Sequence, residues 1–392
     1  MRFIEPTTMP ASTIHPRTVP LWVHIWSVAS FIATLTLLAL GQLVTSFRAG
    51  MADPVWPTEP WYLLDNYKLD FGYLIEHTHR IMGFVVGLLV SVLTLSIWWN
   101  HPQPITRWLG SAAIVVMLLG YGDFHRGLMA QRGLSTADVE LPLAAAGATA
   151  FGFLVALGIG FFGLMSGTPG SGLRILALLG LAAVMTQGLL GGFRVMLHEL
   201  VGTDLAAVHG TFAQLVFGLL ASLVVLTRSP TYAVPNGGPG GMMSPGLLSA
   251  SVGLVALLYI QVAWGAVVRH EPTPLALRMH FLTAFLATGA LVWVLRGIWA
   301  DGESKTSLGS LPVVLLAFLA VQLILGVEAW MEKFGAYTLP ELVPITVWNA
   351  AVRTLHALVG SGLIAAAVMT AVRLRRATGA RHGPFIGLEG QT

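Results

Sequence analysis

The sequence predicts an all-α protein that crosses a membrane about ten times, as two similar four-helix halves plus one extra hairpin. Composition is the first ground. The 392 residues are 55% hydrophobic and 10% charged, against about 25% charged in soluble domains, and mean hydropathy is +0.76. Second, apolar stretches of about twenty residues, long enough to cross a bilayer, recur along the chain. Third, His79, His209, His280 and His356 each open one such stretch, with Gly83, Ala213, Ala284 and Gly360 four residues on. Positions i and i+4 share a helix face, so each imidazole projects beside little side-chain bulk.

The spans read as residues 21–44, 72–99, 105–122, 142–165, 174–193, 206–227, 247–268, 279–299, 311–332 and 350–372. Residues 1–20 form a polar, proline-bearing tail, and Leu21–Val44 reads as a retained signal anchor, with no small-residue cleavage site after it. The Pro/Gly-rich run 228–246 reads as a linker between an N-terminal half, 21–227, and a C-terminal half, 247–373. A basic tail, 374–392, follows. The 21 Lys and Arg residues divide almost evenly between the two sides of this topology, but Arg373, Arg375, Arg376 and Arg381 favour a cytoplasmic C-terminus. Ten spans then place the N-terminus inside too, in a cell inner membrane.

Repetition organises these spans. The helices before His209, His280 and His356 carry Gln187–Gly191, Gln261–Gly265 and Gln322–Gly326. Glycine there permits close helix approach. The first span lacks the glutamine spacing but ends in LALGQLVTS and precedes His79. The chain reads as four copies of a helical hairpin, each with a histidine opening its second helix. Residues 101–172 interrupt the pattern as an inserted hairpin, its second helix opening at Leu141–Pro142 and His125 lying in the loop DFHRGLMAQRG.

The chemistry follows from what is present and what is not. There is no cysteine, which excludes disulfides, thiolate haem ligation, covalent haem attachment and cysteine-ligated iron–sulfur clusters. A pI near 9.4 does not signal nucleic-acid binding, because the basic residues lie in short loops and at helix ends. Buried neutral imidazole is a common axial ligand of haem iron, and four equivalent histidines suit two haems, each held by a pair. His77 rivals His79 but lies about 200° round the helix from it. Glu76 shares a face with His79 and is also spaced to pair with Arg80. Arg80, Arg194, Arg269, Arg278 and Arg353 fall at the outer helix ends, where arginine suits anionic propionates. Arg278 and Arg353, two and three residues from a proposed ligand, are the best candidates among them. Most tryptophans read as interface anchors, but Trp56 in the outer loop is placed to cap a haem edge.

AGMADPVWP at 49–57, EHTHR at 76–80 and QGLLGGFRV at 187–195 together resemble the heme A synthases. Gln261, His280, Gln322 and His356 fit that family's second half, and the likeness covers about residues 21–99 and 174–373. The resemblance implies oxidation of the C8 methyl of heme O to the formyl group of heme A for terminal oxidase assembly. It also implies a substrate-haem site of Glu76, His79 and His209, the glutamate–histidine spacing selecting His79 over His77. His280 and His356 would then hold a b-type haem (heme b). Lipid, a heme O synthase and cytochrome oxidase assembly factors are the partners it implies. The chain departs from the family in lacking an outer-loop cysteine pair that some members carry, and in having ten spans where eight are usual. A dihaem b-type cytochrome without haem modification predicts the same ligands. A transporter is disfavoured, since the histidines cluster at one membrane level and Glu328 is the nearest approach to a midplane acid.

Overall fold

The computed structural model describes residues 19–135, 138–197, 202–228, 245–335 and 344–382. Most of the linker 228–246, the tail before residue 19, His15, His198 and residues 383–392 lie outside them. Twelve helices form among the described residues, and no strand. They are α1 (Leu21–Ser46), α2 (Pro60–Asp65), α3 (Phe71–Trp99), α4 (Pro104–Ala130), α5 (Leu143–Met165), α6 (Ser171–Met196), α7 (Asp204–Thr227), α8 (Pro245–His270), α9 (Pro274–Ala300), α10 (Gly302–Leu308), α11 (Leu311–Phe334) and α12 (Val347–His382). Ten of these, all but α2 and α10, are long and apolar enough to cross a membrane.

Local sequence sets several boundaries. The Asp70 carboxylate accepts from the Tyr73 N–H at 2.8 Å and caps α3, and Thr273 caps α9 through the Ala276 N–H. Proline occupies the first turn of α4, α9 and α11, where its missing N–H costs nothing. Gly170, at φ 77°, turns the chain into α6. Helix α4 runs to Ala130, so His125 lies on the helix and not in the expected loop.

Helices α1, α3, α6 and α7 pack as one group, and α8, α9, α11 and α12 as another. The first encloses a core around Val90, Leu93, Leu178 and Leu223. The second centres on Leu291, Leu295, Leu315 and Leu363. The groups meet through α1 and α7 against α8 and α12, where Leu38, Phe217 and Ala221 cluster with Ala365. Helices α4 and α5 pack on each other and flank α3 and α6. A Cβ on Gly152 would lie 2.5 Å from the Ala113 carbonyl, so backbone meets backbone there. Large apolar side chains such as Phe285, Trp293 and Ile324 face outward, as suits lipid rather than water.

Candidate functional site

Each of the four histidines sits in the first turns of its helix and rests on a glycine of the preceding helix. A Cβ on Gly41, Gly191, Gly265 or Gly326 would meet the Cε1 of His79, His209, His280 or His356 at 2.9, 3.1, 3.0 and 3.2 Å respectively. Any side chain at these glycines would displace the ring. The glutamine spacing missing from the first span is therefore incidental: Leu37 replaces the glutamine, and Gly41 supplies the same seat. Glycine is the constant of the repeat.

The residue four before each glycine meets the ring as well. His79 Nδ1 lies 3.2 Å from the Leu37 carbonyl, and His280 Nδ1 lies 3.3 Å from that of Gln261. A carbonyl only accepts, so in both the Nδ1 donates and Nε2 keeps its lone pair. That arrangement fixes the tautomer of a metal-ligating imidazole. Gln187 donates from Nε2 to the His209 carbonyl at 3.0 Å and lies 3.2 Å from each ring nitrogen. Gln261 lies equally close to the His280 ring while its Oε1 accepts from Thr283.

In the C-terminal group the His280 and His356 ring centroids are 6.5 Å apart, at an interplanar angle of 80°. Two metal–imidazole bonds of about 2 Å, each with about 1 Å from nitrogen to ring centre, give about 6 Å between centroids. The spacing therefore fits one iron between two imidazoles. Arg353, one turn before His356, has buried Nε and Nη2 atoms with no hydrogen-bond partner, and Gln322 Oε1 is likewise unpaired. Buried unpaired donors point to an absent acceptor. Arg278, by contrast, is exposed.

In the N-terminal group His79 and His209 are close enough to interact electrostatically, with Arg194 near both. Among the described residues Arg194 makes no hydrogen bond, and its guanidinium lies against Gly50, where a Cβ would meet Nη2. Gly83 and Gly87, one and two turns beyond His79, have open space where side chains would stand.

A buried ionic cluster flanks this pair. Asp53 meets His77 Nδ1 at 2.9 Å and Arg80 at 3.3 Å, while Glu76 accepts from the Asp53 N–H at 2.9 Å and pairs with Arg80 at 3.1 Å. Arg80 also donates to the Val55 carbonyl at 2.7 Å. His77 gives its other nitrogen to the Leu63 carbonyl at 2.6 Å, among Tyr62, Tyr67 and Tyr73. Both His77 nitrogens are thus engaged, and Arg80 serves the loop and Glu76 rather than open space. Trp56 presses on Gly192, beside the seat of His209.

Asp53 is a site residue that spacing alone does not flag, although an acid in an otherwise apolar loop is a usable signal. Among the described residues no three His, Cys, Asp or Glu side chains come together as a metal-binding group. A haem needs only two such ligands. Comparison with models of protein families, with curated proteins and with solved structures finds no match to this chain.

Proposed function

We propose that this chain is a haem-modifying membrane oxidoreductase of the heme A synthase type. Its N-terminal group would bind heme O as substrate on His79 and His209, and its C-terminal group would hold a b-type haem on His280 and His356. The observation that carries the reading is the fourfold glycine seat, together with the 6.5 Å approach of His280 and His356. The seat orients the imidazoles of His79 and His280 through Nδ1 and leaves their Nε2 for iron, and the glycines beyond His79 leave room for a flat ring.

The protein's own residues supply position and charge. Arg194 at the N-terminal pair and Arg353 at the C-terminal pair are the partners best placed for propionates, ahead of Arg80 and the exposed Arg278. Glu76, one turn from His79, is the carboxylate nearest the substrate site; held by Arg80 and the Asp53 N–H, it is the group through which a proton would pass. Trp56 and the outer loop exclude water from the same side. Haem iron would supply the oxidising chemistry when bound; taking the methyl to the formyl group is a net four-electron oxidation, through two hydroxylations and loss of water, and needs an oxygen source and a redox partner from outside the chain. Heme O would come from a heme O synthase through the lipid, and the product would pass to terminal oxidase assembly. Both termini would lie in the cytoplasm, at the cell inner membrane.

A dihaem b-type cytochrome uses the same four ligands, so the test separates product from ligand. The protein is purified from cells that make heme O, and its haems are extracted with acid–acetone and resolved by chromatography and mass spectrometry. The expected result is heme A or its hydroxylated precursor beside heme B, lost in His79→Ala. Heme B alone would establish the electron-transfer cytochrome instead, and no haem would overturn both readings.

A further inference from the structure

We propose that the α4–α5 hairpin is a brace that holds the loop 53–59 closed beside the N-terminal histidine pair, with His125 and Arg132 as its positioning residues. Three contacts run from the end of α4 into this region. His125 Nε2 lies 3.1 Å from the Thr58 carbonyl and so donates to it. Arg132 donates to the adjacent Pro57 carbonyl. The His125 ring also meets Trp56 edge-on, with centroids 5.7 Å apart.

Trp56 carries the contact inward, because its indole lies on Gly192, next in sequence to the Gly191 on which His209 rests. A second tie fixes α4 itself to α6: Tyr121 donates to the Met185 carbonyl at 3.2 Å, its hydroxyl 2.9 Å from where a Cβ on Gly188 would stand. The loop is therefore gripped from two sides. Asp53 and Val55 are held by α3 through Glu76 and Arg80, and Trp56, Pro57 and Thr58 are held by α4. The insert lies outside the fourfold repeat, and among the described residues no counterpart packs on the C-terminal pair. The grip is a property of this chain's own geometry; its functional weight rests on the haem reading above.

The absence of native cysteine gives a direct test. Thr58 is 2% exposed, so Thr58→Cys buries a lone thiol that a maleimide reaches only when the loop lifts. Labelling rates are compared in the full-length protein with and without His125→Phe, which keeps the ring contact but loses the donor, and with Arg132→Gln. Each lost hydrogen bond should raise the rate about fivefold, and the two together more. Ser361→Cys, at a position buried in α12, checks the fold and should stay unreactive throughout. Unchanged Thr58→Cys labelling in both variants, with Ser361→Cys protected, would overturn the brace. A gain in both reporters would mean general unfolding and would overturn it too. The readout needs no haem, so a protein that lifts its loop as expected yet carries no haem leaves the brace standing while the haem reading falls.

Discussion

His79 and His209 lie beside a loop, residues 53–59, locked by a buried ionic cluster and gripped by an extra hairpin. His280 and His356 rest on the same kind of glycine seat, yet among the described residues no comparable loop is hydrogen-bonded over them. Their nearby arginine keeps buried donors without partners. The seat is common, and the surroundings differ. A shared seat with unequal surroundings accords with the proposed division between one pair that takes a substrate haem and one that keeps its group.

The seats offer the most direct way to break this comparison. A valine at Gly41 or Gly191 puts carbon within about 3 Å of the imidazole and should remove haem from the N-terminal pair only. Gly265→Val or Gly326→Val should do the converse. Displacing the groups that orient a metal ligand costs roughly tenfold to a hundredfold in affinity, so on the proposed two-haem reading the stoichiometry per chain should fall from two towards one in every case. Loss of both haems from a single seat variant would show that the two halves do not bind independently.

Asp53→Asn tests the cover. It leaves His77 and Arg80 buried against a neutral side chain, and losing one partner of a buried charged pair costs about 3–5 kcal/mol. Denaturation should show that loss, with Thr58→Cys labelling raised and the His280–His356 site still loaded. If the C-terminal haem falls equally, the cluster supports the whole fold and not one cover.

Arg353→Met sharpens the other side. Removing donors that are buried and unpaired should stabilise the haem-free protein by about 1 kcal/mol. On the proposed reading the same change should weaken retention of a haem on His280 and His356, because methionine offers nothing to a propionate. Opposite signs in the two states would mark Arg353 as a ligand-directed group. Equal signs would make it an ordinary interfacial arginine.

These differences mark how far the sequence could be read. The ten spans and the four histidines were legible because hydropathy and a repeat are local patterns. The seat was legible only where a glutamine flagged it; at Gly41 leucine stands in that place, and the common feature is a glycine contact with the next helix. Asp53 pairs with His77 across 24 positions, a partnership no spacing rule predicts. His125 falls in a loop when the span is ended at residue 122, yet α4 continues through Gly122, Asp123 and Gly127 to Ala130. Gly120 and Gly127 face α5, where a side chain would clash with Thr149 and Pro142, so packing against the partner helix overrides weak helix propensity.

The smallest expected effect concerns the far end of the insert. His101, 3% exposed, sits in the turn between α3 and α4, where its Nδ1 accepts from the Gln103 N–H at 3.0 Å and Arg107 donates to its carbonyl at 2.9 Å. Burial, with Arg174 and Arg107 nearby, lowers its pKa from 6.5 to about 4. The folded state thus prefers the neutral ring, and protonation would also remove the lone pair that Gln103 uses. The sign follows from linkage. Stability from this group is fully present above pH 6.5, declines as pH falls towards about 4, and changes no further below that. Denaturation midpoints measured from pH 7 to pH 4 should show the decline, and His101→Gln should flatten that part of the curve. If the brace is one mechanical unit, Thr58→Cys labelling, taken relative to a free thiol at the same pH because the thiolate is the reacting species, should rise over the same interval in the parent but not in His101→Gln. A rise that persists in His101→Gln would place the acid-sensitive group outside the turn between α3 and α4.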